Sequence, residues 1–191
     1  AGAPGSKWSS VVKNIYYSAD IDRSDYSDDR TYYHDASGEM KLMHLGAYFD
    51  PHMEFGSKLD IMEFLSKDTL EAEFDRPFSG SGIRIIKSHV FCHHLEFIKK
   101  TWPDCDIVCV DREDDACLGW WVRCGHFNIT YPLYHEYYKD LRSMANIIDC
   151  QNADIYDAWK RYEGDYVTTN VELAKSLNIM EPSEIKKEMT P

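Results

Sequence analysis

The chain of 191 residues contains no uninterrupted apolar run near the roughly 20 residues that a membrane-crossing helix needs. Its N-terminus also lacks the basic and apolar blocks of a secretory signal. With a mean hydropathy of −0.51, these absences read as a soluble domain with no membrane partner. Positive charge is scarce as well: 21 Lys and Arg stand against 33 Asp and Glu, a formal net charge of −12. A general nucleic-acid binder needs a basic stripe to displace counterions from phosphates, and no such stripe is present. Any anionic ligand must therefore be held by a few placed cations and not by the overall field. The six cysteines include no C-x-x-C pair, and the closest spacing is the C-x3-C of Cys105 and Cys109 in an apolar run. Zinc ribbons and fingers need two close pairs, so no metal is expected, and the thiols read as reduced core residues of a cytoplasmic protein.

What remains is ample for one core. Hydrophobic residues make up 43% of the chain and aromatics 14%, so a single domain over 1–191 is expected, with 165–191 as a peripheral tail. The opening GAPGSKWSS is a Gly/Pro/Ser loop that runs straight into a helix-compatible segment from about Trp8 to Tyr17. Loops of this kind normally follow a buried strand, so a first strand is expected ahead of residue 1. The polar stretch 18–38 reads as a surface loop, MKLMHLGAYF as a strand, and SKLDIMEFLSK as a short amphipathic helix.

The clearest signal lies in the middle. IRIIK at 83–87 is a β-branched run followed by the helix-like VFCHHLEFIKKTW; DIVCV at 106–110 is a second buried-strand pattern, followed by a helix from Asp114 to about Cys124. Strand, helix, strand, helix at this spacing predicts parallel βαβ units, and the chain beyond Pro132 is mostly helical in pattern. The fold class is therefore α/β: a three-layer parallel sheet flanked by helices, with a helical C-terminal part.

Ligands of such sheets collect outside the carboxyl ends of the strands, and three ends stand out. In the first, Pro4, Gly5, Ser6, Lys7, Trp8 and Ser9 combine small residues, hydroxyls, a cation and a helix N-terminus, the ingredients of a phosphate or sulfate cradle. The same residues would also make an ordinary turn. In the second, Lys87, Ser88 and His89 leave a strand together; a neutral imidazole can take a proton and a lysine can stabilise developing negative charge. A capping histidine would look alike. In the third, Arg112 follows DIVCV and can fork onto a phosphate, or pair with Glu113, Asp114 or Asp115.

Taken together these ends resemble the sulfotransferases that use 3′-phosphoadenosine 5′-phosphosulfate, whose fold is P-loop-like. That family's phosphosulfate loop corresponds to Pro4-Gly5-Ser6-Lys7-Trp8-Ser9, its Lys-Thr-His step to Lys87-Ser88-His89, and its strand ending in Arg to IVCVDR. The resemblance covers the opening loop and roughly residues 83–125. It implies His89 as the base, Lys87 and Lys7 as transition-state partners, and Arg112 as the ligand of the 3′-phosphate. The acceptor would be a small molecule or glycan, the product adenosine 3′,5′-bisphosphate, and no metal would take part. The length fits a minimal or viral-type member, acting in host cytoplasm if virus-encoded.

The chain departs from the family in three places. Gly5 stands where a cation usually follows the loop Pro, so Lys7 takes that role. A second 3′-phosphate ligand, a Ser, is replaced by Gly119-Trp120-Trp121, where the Gly119 N–H could substitute. The C-terminal Gly-rich segment has only a faint echo in Arg161-Tyr162-Glu163-Gly164-Asp165. Glu54 and His44 are back-up bases. The competing readings are a nucleotide kinase using Mg-ATP, with Asp111 holding the metal, and a non-catalytic nucleotide-binding module. Against the kinase, Ser6 replaces the Gly that should precede the lysine, and Trp8 separates Lys7 from the hydroxyl that would bind the metal. A metal site at Cys92, His93 and His94 is disfavoured because neighbours on a helix diverge by about 100° each.

Overall fold

The computed structural model describes residues 1–16, 20–25, 33–35, 41–43, 47–50, 56, 58–123 and 139–161. Of the sequence expectations, His44, Glu54, Cys124, the 132–138 segment and everything from 162 onward lie outside the described residues.

The first helix, α1, spans Trp8–Tyr16, and its buried or half-buried residues Trp8, Val11, Val12 and Ile15 recur at the spacing of one helical face. Tyr33–Asp35 (β1) and Lys41–Met43 (β2) pair antiparallel, with Tyr33 opposite Met43. The stretch expected as a loop thus contains a strand. Ala47–Tyr48 (β3) pairs in parallel with Ile86–Lys87 (β4), Tyr48 standing opposite Lys87. The ladder continues past the strand ends, where the Phe49 N–H donates to the Lys87 carbonyl at 2.8 Å. Two isolated parallel bridges, Gly2 with Val110 and Ile21 with Ile83, bring the opening residues and 20–22 onto the same two runs that the sequence marked as strands. The 106–110 run contributes that single bridge and backbone bonds at Val108 and Val110, a shorter pairing than its apolar pattern predicts.

The short amphipathic helix expected within SKLDIMEFLSK forms as a 3-10 helix and not an α-helix. Leu59–Phe64 is a 3-10 turn interrupted at Ile61, which buries Leu59 and Met62 and leaves Ile61 and Phe64 exposed. Helix α2, Lys67–Asp75, follows. Ser66 caps it by accepting from the Thr69 N–H, and Leu70 and Phe74 bury one face. A second 3-10 turn, Val90–His94, leads into α3, Leu95–Thr101. Helix α4, Asp114–Arg123, carries two acidic residues in its first turn and Arg123 in its last, the arrangement the helix dipole favours. In α5, Leu141–Arg161, the buried Met144, Ile148, Gln151, Ile155 and Ala158 form a continuous stripe.

Successive strand residues point to opposite faces, and β3 shows the consequence. Tyr48 belongs to a cluster with Trp8, Val11, Cys117, Trp121, Met144 and Ile148, whereas Ala47 and Phe49 belong to one with Leu59, Met62, Leu70, Phe74 and Phe91. Helical packing therefore covers β3 on both sides. An apolar cavity of about 230 Å³, lined in part by Ala1, Phe74, Phe91, Ile98, Trp102 and Val108, lies toward the N-terminal ends of these strands. The loop of interest lies at their other ends.

Candidate functional site

The opening loop is tightly built. The Ser6 N–H closes a turn on the Ala3 carbonyl at 3.1 Å, and Pro4 is fully buried. Gly5 has φ +81°, and a Cβ there would lie 2.1 Å from the Cys117 carbonyl oxygen on α4, so both conformation and space demand glycine. Lys7 adopts φ +64°, a left-handed conformation uncommon for a residue with a side chain, and its ammonium sits 4.5 Å over the Trp120 ring. The Ser6 hydroxyl is buried and finds no hydrogen-bond partner among the described residues. Ser9 lies in the first turn of α1.

Lys87, Ser88 and His89 leave β4 and are all buried. The residue that organises them is Asp50, just beyond β3 and itself 3% exposed. One Asp50 oxygen accepts from the Ser88 hydroxyl at 2.6 Å and from the His89 N–H at 3.1 Å; the other accepts from the Tyr48 hydroxyl at 2.5 Å. The His89 Nδ1 lies 2.6 Å from the Gly2 carbonyl oxygen. A carbonyl can only accept, so we assign the proton to Nδ1, which leaves Nε2 as the ring atom able to take another. The ring stacks on Trp8, with centroids 4.1 Å apart and planes 26° from parallel. Burial holds the His89 pKa below the ordinary histidine value, opposed chiefly by the negative charge of Asp50. The Lys87 ammonium lies 5.7 Å from the Trp8 ring centre and 5.9 Å from that of Tyr48.

Arg112 reaches the same loop from the third strand end, its Nη1 donating to the Gly5 carbonyl at 2.8 Å. Its own carbonyl accepts from Asn152 on α5 at 2.8 Å, and that amide also donates to Asp114. The structure thus brings the three strand ends into contact: His89 with Gly2, Lys87 with Trp8, Arg112 with Gly5. Gly119 does not join them by any contact described. It is an interior residue of α4, with nothing within 4 Å of where a Cβ would stand, and an N–H at such a position belongs to the intrahelical ladder.

Asp50 and Tyr48 were not among the residues singled out from the sequence. The signal was there, because AYFD is itself an apolar run ending in a carboxylate, and the strand-end rule applied at 83–89 and 106–112 selects it equally. Cys92, His93 and His94 diverge as helical geometry requires: Cys92 is buried, His93 meets Asp154 at 2.5 Å, and His94 meets Glu63 at 2.9 Å. Among the described residues no group of three His, Cys, Asp or Glu is placed to hold a metal ion. Burial pushes the Cys92 thiol up to about 12 and the Cys117 thiol to about 11, so neither is a nucleophile at neutral pH. Among the described residues, no helix is long and apolar enough to cross a membrane. Comparison of the chain with protein-family models, curated proteins and solved structures found no match.

Proposed function

We propose that the chain is a sulfotransferase that moves a sulfuryl group from 3′-phosphoadenosine 5′-phosphosulfate to an acceptor hydroxyl or amine, on a three-layer α/β fold of the P-loop-like kind. The observation that carries this reading is the convergence of Lys87-Ser88-His89 and Arg112 on the loop Gly2–Trp8, although these segments are far apart in sequence. The parallel register of β3 with β4 and the packing on both sides of β3 favour the fold.

The residues fit a bound phosphosulfate in two respects. Ser6 has a buried hydroxyl with no partner among the described residues, which an anionic oxygen would satisfy. Arg112 has five N–H donors and Gly5 takes one. When bound, the nucleotide supplies a sulfuryl group whose bond to the phosphate oxygen breaks as the acceptor oxygen or nitrogen bonds to sulfur, with adenosine 3′,5′-bisphosphate as product. His89, neutral and with Nε2 open, takes the acceptor proton. Lys87 and Lys7 stabilise negative charge on the surrounding oxygens, and Arg112 with Ser6 holds the anion in place. Lys87 and His89 are buried, so transfer requires that the acceptor gain access to them past Trp8 and the opening loop.

The test is binding first and transfer second. Adenosine 3′,5′-bisphosphate raises the melting temperature without any metal, and His89→Ala lowers product release to a simple phenol by about 100-fold or more while nucleotide affinity stays within about threefold. Stabilisation by ATP with Mg²⁺ alone, lost on adding EDTA, overturns the reading in favour of a kinase. Binding of the bisphosphate with no turnover for any phenol, alcohol or amine favours the non-catalytic module.

A further inference from the structure

We propose that Asp50 is a positioning residue for His89: its carboxylate fixes the His89 main chain and supplies the negative charge that steadies the ring when it gains a proton. The proposal takes from the sulfotransferase reading only the identity of the proton donor, an acceptor hydroxyl or amine; the pairing of Asp50 with His89 stands on geometry.

That geometry begins with register. Tyr48 stands opposite Lys87 in the parallel pair, so Asp50, two residues on, comes level with His89 at the mouth of the strands. There the carboxylate is 3% exposed and, among the described residues, accepts hydrogen bonds from Ser88, His89 and Tyr48. A buried carboxylate is tolerated when it is paired or well bonded, and here its donors come from both strands that shape the site. The Tyr48 ring packs edge-on to His89 and to Trp8, which closes off water from the pair.

The charges acting on His89 come from the two paired strands. Asp50 at the end of β3 favours the protonated ring, and Lys87 on β4 opposes it. Trp8, on α1, is uncharged. Burial and Lys87 lower the proton affinity of a base in this setting, and Asp50 is the group that opposes them.

Asp50→Asn tests the inference because it is isosteric and keeps an oxygen for Ser88 and the His89 N–H while removing the charge. In the ligand-free protein, an NMR titration of the His89 ring shows protonation moved to lower pH. Product release falls about tenfold or more with unchanged nucleotide affinity, and Asp50→Glu recovers part of it. If the Asn variant does not fold, Tyr48→Phe replaces it: loss of one donor strengthens the field of the carboxylate, and His89 protonation moves to higher pH. An unmoved His89 titration in the variant that folds overturns the pairing, even in a protein that transfers sulfuryl groups. A moved titration in a protein that transfers none upholds the pairing and overturns the sulfotransferase reading instead.

Discussion

The strand-end cluster and the helical shell around it use the same residue types to opposite ends. His89 precedes one 3-10 turn and His93 lies within it. The first is stacked on Trp8 and bonded to a backbone carbonyl, and only 5% exposed. The second faces solvent and meets Asp154. Glycine divides in the same way, since Gly5 is wedged against the Cys117 carbonyl whereas Gly119 faces open space. Acidic residues follow suit: Asp50 is buried under three donors, while Glu71 pairs with Lys67 on an exposed helical surface. The difference teaches where geometry is enforced. In the shell a side chain has alternatives in water, so its loss is absorbed; at the strand ends Asp50, Ser88 and His89 are buried and the partners of each are obligatory.

The glycine pair separates the two regions most sharply. Gly5→Ala must move the Cys117 backbone and also strains a positive φ, so chemical denaturation should show a loss of about 2–4 kcal/mol. Gly119→Ala, in open space inside a helix, should instead gain up to about 1 kcal/mol. Equal effects at the two positions would erase the contrast.

Acid gives a smaller and graded effect. His89 is held neutral in the folded protein by burial, so below the ordinary histidine pKa of about 6.5 the unfolded chain binds a proton that the folded one does not. Stability from this group is therefore complete above about pH 6.5 and declines as the pH falls from there toward the lower folded value. Denaturation midpoints between pH 7.5 and 5.5 should fall in the wild type and fall less in His89→Gln. An equal slope in both would show that another group governs the acid limb.

The smallest effect belongs to the shell histidines. His93→Ala and His94→Ala, each removing a partly exposed pair with a carboxylate, should each change stability by less than about 1 kcal/mol and less still at high salt. A larger loss at either would place it with His89.

Much of this division is legible in the sequence, though not all. The helix expected from Trp8 shows because Trp8, Val11, Val12 and Ile15 repeat at helical spacing, and the Lys87-Ser88-His89 step shows because it follows a β-branched run. The 59–65 segment misleads because its apolar residues fit one helical face, yet Leu59 and Met62 are buried with Leu65 packed beside them while Ile61 and Phe64 are exposed, and the turn kinks at Ile61. Helix α2 escapes notice because Leu70 and Phe74 are its only buried residues and most of the rest is charged. Asp50 is harder still, since its importance comes from strand register, and register is a property of two segments that no single window contains.

The loop's two cations carry one further consequence. In a chain of net charge −12, Lys7 and Arg112 rest on an indole and a peptide carbonyl, and neither forms an ion pair with a carboxylate among the described residues. Both partners are neutral placeholders. On the proposed sulfotransferase function, an arriving dianion would displace them without stranding a negative charge behind it, so the exchange would favour a doubly charged oxyanion over a neutral guest of the same shape. Selectivity of this kind is set less by how strongly the site attracts an anion than by how little it must surrender to receive one.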